Sequence, residues 1–175
     1  MEDQKIPYTV VVYTENNLGL LNRIATIFLK RHINIESLNV SESEIEHVHR
    51  FTIVAEMSED HVKKIVGQID KQIEVIKAFY HSDEETIFQE TALYKMNSDV
   101  LFEEREVQNI IKNSHANIVT VQREYFVVEK TGHRSALQAL YKELLPYGLK
   151  QYVRSGRIAV SKKEMQISQR LKELM

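Results

Sequence analysis

The fold is decided by the stretch Glu15-Asn16-Asn17-Leu18-Gly19-Leu20-Leu21-Asn22-Arg23-Ile24, which follows the β-branched run Val10-Val11-Val12. Apolar residues keep helical spacing as far as Phe28, and the segment Ile33-Asn34-Ile35-Glu36-Ser37-Leu38 comes next. This pattern predicts a strand, a short polar turn, a helix and a return into a second strand. The turn holds one of only five glycines in the chain.

The polar turn suggests a binding site for a small amino acid. Backbone N–H groups in the first turn of a helix have no intrahelical partner, and the helix dipole is positive there, so a carboxylate can bind them. We expect Asn34 to return on the neighbouring strand, close to that anion. Taken alone, the turn favours ordinary helix capping by asparagine and glycine, and Asn34 fits a turn residue.

The first half of the chain has the element order of a ferredoxin-like unit. Strands are predicted at Pro7–Tyr13, Ile33–Val40, His49–Met57 and Val75–Tyr80, with a helix over Gly19–Arg31. A phase slip at Glu36-Ser37 predicts a β-bulge. Ser58 is the predicted N-cap of a second helix, whose apolar face is formed by Val62, Ile65, Val66, Ile69 and Ile73. The order strand, helix, strand, strand, helix, strand is the split βαββαβ unit.

The second half repeats this order after a polar stretch, His81–Thr86, that has no periodicity. The stretch predicts a boundary between domains 1–82 and 83–175. The second domain has a helix at Val100–Lys112 and another that Pro146 stops; its predicted strands are Thr91–Met96, Ile118–Val121, Tyr125–Val128 and Leu149–Val153. The fold class is therefore α+β, with two tandem ferredoxin-like βαββαβ domains. Arg157–Val160 either extends the last strand or begins another, and the charged tail Met165–Met175 is assigned no role.

The amino-acid composition excludes several classes of protein. The 43% hydrophobic fraction allows a buried core, and the net charge of −2 argues against nucleic-acid binding by charge alone. The absence of cysteine excludes disulfides, thiolate metal sites and a cysteine nucleophile. The N-terminus Met1-Glu2-Asp3-Gln4 is acidic and precedes no signal-like apolar segment, and no apolar run approaches a membrane span of about 18 residues. We expect a soluble cytoplasmic protein with no membrane partner.

No catalytic or metal-binding constellation is found. His47 and His49 fall on one face of a predicted strand, but a structural zinc site needs about four ligands and none follows at suitable spacing, so a solvated face is favoured. The sequence lacks the nucleophile elbow Gly-x-Ser-x-Gly and the glycine-rich phosphate loops. A basic end, formed by Arg154, Arg157, Lys162 and Lys163, either meets an acidic partner surface or solubilises the C-terminus.

The pattern Glu-Asn-x-x-Gly-x-Leu-x-Arg-Ile followed by Asn34-Ile35-Glu36-Ser37-Leu38 resembles the ACT domain that opens the small, regulatory subunit of acetohydroxyacid synthase (acetolactate synthase). Arg50-Phe51-Thr52-Ile53 is similar to the third strand of that family, and Val153-Arg154-Ser155-Gly156 to its near-terminal Arg-Ser-Gly element. The joint match favours the binding site over simple capping. His32 stands where the family usually has glycine, which predicts a strained or differently shaped helix exit.

The resemblance implies a non-catalytic regulatory subunit. It activates a large catalytic subunit and confers feedback inhibition by a branched-chain amino acid, valine foremost. Thiamine diphosphate, Mg²⁺ and FAD belong to that partner, and this chain holds no cofactor. The ACT domains form a homodimer with the effector at the seam between protomers. The implied effector-binding residues are Asn16, Asn17, Leu18, Gly19, Leu20, Asn34 and Ile35.

Two other functions share this fold. A freestanding ACT-type amino-acid sensor needs only one ACT unit, so the second domain favours the regulatory subunit. An acylphosphatase-like hydrolase needs an arginine in the first strand–helix loop, and Thr14–Gly19 contains none.

Overall fold

A computed structural model of the chain describes residues 5–17 and 19–163. The chain divides into two compact units, one running to Phe88 and including the segment that begins at Arg157, the other spanning Gln89–Gly156. This division differs from the predicted domains 1–82 and 83–175, because the described residues from Arg157 to Lys163 belong to the first unit. The stretch His81–Thr86 is also structured: a strand ends at Ser82, and a 3₁₀ turn follows at Asp83–Glu85.

The first unit has the predicted βαββαβ order. Its elements are β1 (Ile6–Glu15), α1 (Leu20–Leu29), β2 (Ile35–Glu42), β3 (Val48–Met57), α2 (Glu59–Ile69) and β4 (Val75–Ser82). The strands form an antiparallel sheet in the order β2-β3-β1-β4, so β2 and β4 are its edges. Both helices pack on one face of this sheet.

The helical apolar faces form the core as their spacing predicts. α1 buries Leu20, Ile24, Ile27 and Phe28 against Val10 and Val12 of β1 in a cluster shared with α2. Ser58 caps α2 by accepting a hydrogen bond from the His61 backbone N–H at 3.4 Å. Ile73 does not join this face: α2 ends at Ile69, and Ile73 is 97% exposed in the connection to β4.

The helix exit at His32 has the shape that glycine would give it. His32 has a left-handed φ of 55°. The His32 N–H donates to the Leu29 carbonyl at 2.9 Å and the Ile33 N–H to the Phe28 carbonyl at 3.1 Å, the bond pair of a Schellman cap. Of the two predicted alternatives, a strained or a differently shaped exit, the structure has the strained one, because a side chain occupies a positive φ. The predicted bulge is confirmed, because the β2–β3 register shifts between Ile35 and Ser37.

Replacing His32 by glycine is expected to raise the free energy of unfolding by about 0.5–1 kcal/mol, because glycine adopts positive φ without a Cβ clash. His32→Val is expected to lower it by about 1 kcal/mol or more, since a β-branched side chain is most restricted there. Urea unfolding of the full chain measures both changes. Equal stability of His32→Gly and wild type would show that the histidine costs nothing at this cap.

The second unit repeats the architecture. Its elements are β5 (Thr86–Met96, which begins in the first unit), α3 (Ser98–Glu103), α4 (Arg105–Asn113), β6 (Asn117–Val121), β7 (Phe126–Gly132), α5 (Arg134–Leu144) and β8 (Gln151–Arg154). The strand order of this unit is β6-β7-β5-β8, and β9 (Ile158–Ser161) belongs to the first unit. The helix predicted at Val100–Lys112 is two helices that meet at Glu104. No helix in the described ranges is long and apolar enough to span a membrane.

The repeat extends to the helix exit. His115 follows the C-cap of α4 with a φ of 55°, and Ala116 N–H donates to the Ile111 carbonyl at 3.1 Å, as Ile33 does after His32. Asn117 follows two residues later, as Asn34 follows His32, and the β6–β7 register shifts between Ile118 and Thr120. The two units therefore share one local design for entering the edge strand, which makes Asn117 a structural counterpart of Asn34.

Candidate functional site

The turn between β1 and α1 leaves a helix entry open. Gly19 is the N-cap of α1 and has a left-handed φ of 83°. Among the described residues no side chain caps this helix, and its first turn contains no acidic residue. The first backbone N–H groups of α1 are thus available to an external acceptor. A Cβ built on Gly19 would meet nothing within 4 Å, so the space in front of the turn is open.

The candidate residues on either side of Gly19 differ in solvent exposure. Asn16 and Asn17 are exposed, and the Asn17 side-chain amide donates to the Glu15 carboxylate at 3.4 Å. Leu20 is 1% exposed and anchors the start of α1 in the core, so only its backbone can face a ligand. Leu18, also predicted for the site, lies outside the described residues.

Within one chain, Asn34 lies at the other end of the sheet from Gly19. β2 does not neighbour β1, because β3 lies between them. Through β3, Ile35 is level with Tyr8 near the start of β1, whereas Gly19 follows the end of β1 at Glu15. The strand from Tyr8 to Glu15 spans about 20 Å. The expectation that Asn34 approaches the turn from a neighbouring strand is therefore wrong for a single protomer.

Asn34 and the strand it precedes are nevertheless accessible. Asn34 is exposed, while Ile35 is half-buried and packs against the core of the first unit. β2 is an edge strand that exposes Leu38 by 36% and Val40 by 40%. An apolar edge strand with unpaired backbone groups is a template for pairing with another chain.

An ion pair fixes the polar turn against the start of β4. The Arg23 guanidinium lies 2.5 Å from the Glu74 carboxylate, and the Glu15 N–H donates to the Glu74 carbonyl at 3.0 Å. The hydrogen bond from Arg23 holds the pKa of Glu74 below its usual range. Because Arg23 is paired within the chain, the donors at the open entry of α1 are its backbone N–H groups.

The histidine pair that sequence spacing placed on one strand face is separated by the fold. His47 lies in the turn before β3 with a φ of 64°, and only His49 is in the strand. Within residues 5–17 and 19–163, no group of three or more histidines and carboxylates is placed to hold a metal ion.

The side chains of the basic end form ion pairs and hydrogen bonds within the chain, and Lys162 and Lys163 remain exposed. In the second unit, Arg154 pairs with Glu90 at 3.1 Å. In the first unit, Arg157 pairs with Asp83 at 2.6 Å, Lys163 pairs with Glu85 at 2.7 Å, and the Lys162 ammonium donates to the Glu84 carbonyl at 2.8 Å. The basic residues after Gly156 thus fasten the C-terminal segment to the acidic 3₁₀ turn. No periodicity of the sequence signals this pairing.

The chain has two tandem ferredoxin-like units and an open glycine turn at the first helix entry. These features place it in the class of ACT-type domain proteins. Residues 10–77 match the family model of the AHAS small subunit-like ACT domain, and residues 89–163 match that of the small subunit of acetolactate synthase. The chain belongs to the family of acetolactate synthase small subunits.

Relatives and a solved structure agree with this assignment. The chain is 34% identical to the acetolactate synthase small subunit of Mycobacterium bovis, over 89% of this chain and 92% of that protein. It is 36% identical to the small subunit of Bacillus subtilis, over 84% of this chain and 86% of that protein. The crystal structure of the small subunit from Thermotoga maritima matches 91% of this chain and 99% of its own, with a TM-score of 0.80 and 26% identity.

Proposed function

We propose that this chain is a regulatory subunit that activates a catalytic acetolactate synthase subunit and confers feedback inhibition by a branched-chain amino acid, valine foremost. The observation that carries the proposal is the open entry of α1, where a left-handed glycine replaces a capping side chain and first-turn carboxylates are missing. The backbone N–H groups there suit an amino-acid carboxylate. Asn16 and Asn34 orient the ligand's ammonium or carboxylate group.

Two protomers share each effector site in this proposal. If the β2 edges of two copies pair antiparallel across a twofold axis, the start of β2 in one copy faces the end of β2 in the other. The end of β2 at Glu42 is level with Thr14, next to the turn that enters α1. Asn34 of one protomer then lies at the same end of the joined sheet as the Gly19 turn of the second, three strand spacings or about 14 Å from β1, instead of at the opposite end.

The chemistry of acetolactate formation belongs to the large subunit in this proposal. That partner carries thiamine diphosphate, Mg²⁺ and FAD, and this chain contributes binding and coupling. Regulation is then a coupling free energy between the effector site and the distant active centre, typically about 1–3 kcal/mol. The proposed compartment is the cytoplasm.

Addition of this chain to its cognate large subunit is expected to raise acetolactate formation from pyruvate severalfold and to make it sensitive to valine. The chain alone is expected to form none. The assay compares the large subunit with and without saturating small subunit, and each with and without valine. Unchanged output, combined with valine binding to this chain, would instead support a freestanding amino-acid sensor.

A further inference from the structure

The segment Arg157–Lys163, here called the strap, is fastened to the first unit by the buried side chain of Arg157. Arg157 is 7% exposed. Its Nη1 donates to Thr9 Oγ1 at 2.8 Å and to Asp83 Oδ1 at 2.6 Å, and its guanidinium carbon lies 3.6 Å from the centroid of the Phe88 ring. Its backbone N–H donates to Ser37 Oγ at 3.0 Å. One residue therefore joins the strap to β1, to β2 and to the acidic turn.

These contacts follow one row across the sheet. Ser37 of β2 pairs with Val54 of β3, and Val54 pairs with Thr9 of β1. Arg157 thus crosses from the edge strand to an inner strand on the face opposite the two helices. Charge-assisted hydrogen bonds of this kind are among the stronger ones in proteins, and a buried guanidinium that loses a partner is costly.

The rest of the strap adds further bonds to the first unit. Arg50 of β3 donates to the Ala159 carbonyl, and the Lys162 N–H donates to the Glu85 carbonyl at 2.9 Å. Lys163 pairs with Glu85, and the bond from Lys163 lowers the pKa of that carboxyl. The strap is therefore held at both ends, with Arg157 at the end that touches β2.

We propose that Arg157 is a positioning residue for the effector site, acting through Ser37 to hold the β2 bulge. Ser37 closes the bulge that begins after Ile35, and Asn34 lies three residues before Ser37. In this proposal the Ser37–Arg157 bond holds the bulge and thereby the position of Asn34. The inference rests on the proposed effector role of Asn34. Because linkage is reciprocal, an effector that holds Asn34 also holds the strap.

The test removes the hydroxyl that Arg157 contacts and then restores it. Ser37→Ala in the full chain is expected to weaken valine binding about tenfold, within the usual range of coupling, and to speed amide hydrogen exchange of the strap. Ser37→Thr keeps a hydroxyl and is expected to restore both. Ser41→Ala, an exposed serine of the same strand, is the matched control and is expected to change neither.

A second pair of variants tests the side chain of Arg157. Arg157→Lys keeps the charge beside Asp83 but loses the planar guanidinium that lies over the Phe88 ring, and is expected to weaken valine binding about fivefold. Arg154→Lys, which alters the pair with Glu90 in the second unit, is the control. Calorimetric titration with valine and hydrogen exchange on the same samples give both readouts.

The outcomes separate this inference from the proposed function. Normal valine binding by Ser37→Ala and Arg157→Lys overturns the positioning role and leaves the effector proposal standing. If wild type binds no valine, the proposal that valine is the effector fails. Amide hydrogen exchange of residues 35–40 then tests whether the strap holds the β2 bulge. Faster exchange there in Ser37→Ala, restored by Ser37→Thr, upholds the link between strap and bulge, and unchanged exchange overturns it.

Discussion

Replacement of Gly19 by aspartate is expected to raise the valine inhibition constant of the assembled enzyme by at least about 100-fold. The new carboxylate would lie at the open entry of α1, where it competes with the ligand carboxylate and repels it. Loss of charge-assisted hydrogen bonds there corresponds to about 3 kcal/mol. Activation of the large subunit is expected to persist, because the change touches only the effector turn.

The control for backbone strain is Gly148→Asp. Gly148 has a φ of 81°, close to the 83° of Gly19, and a Cβ at either position meets nothing within 4 Å. Both substitutions therefore carry a similar left-handed penalty. Gly148 belongs to the second unit and is not part of the turn that enters α1, so its variant is expected to keep normal valine inhibition. Equal loss of inhibition in both variants would mean that destabilisation causes the loss, and would contradict valine binding at the Gly19 turn.

Asn34→Ala tests the other half of the same site. Unpaired polar ligand atoms cost about 1–3 kcal/mol, so valine inhibition is expected to weaken by about 5- to 150-fold. Asn117→Ala is the matched control, since Asn117 has the same place after a left-handed histidine in the second unit. If Asn34→Ala and Asn117→Ala both respond to valine like wild type, the effector is bound without Asn34.

The double substitution of Leu38 and Val40 by lysine is expected to weaken self-association of the chain by at least about 100-fold. Both side chains are exposed on edge strand β2, and charges on a sheet edge oppose edge-to-edge pairing. A loss of about 3 kcal/mol in the dimer gives this factor. Sedimentation of the full chain over a range of concentrations measures it.

Valine inhibition is expected to be lost together with association, because each proposed site is built from two protomers. Ile73→Lys is the control: Ile73 is 97% exposed outside the edge strand and is expected to leave both properties unchanged. A double variant that is monomeric but still inhibited by valine would place the whole effector site within one protomer. A double variant that stays dimeric would show that the dimer interface is not formed by β2.

Much of the fold was predictable because local spacing determines it. The apolar positions of α1 and α2, the Ser58 cap and the phase slip before Ser37 each depend on residues a few positions apart. Sequence also identified the open turn at Gly19, since helix-entry chemistry is local. The prediction that Ile73 lies on the apolar face of α2 is wrong. The helical spacing of apolar residues continues in the sequence to Ile73, but the helix itself ends at Ile69.

Local sequence determined the two βαββαβ units and the chemistry of the turn at Gly19, because each follows from short-range periodicity and capping. Only the tertiary structure decided that Asn34 and Gly19 lie at opposite ends of the sheet, since strand order and register are relations between distant segments. The same holds for Arg157, whose partners Ser37, Thr9 and Asp83 are remote in sequence. Its role depends on the C-terminal segment rejoining the first unit, a long-range choice that no local pattern encodes.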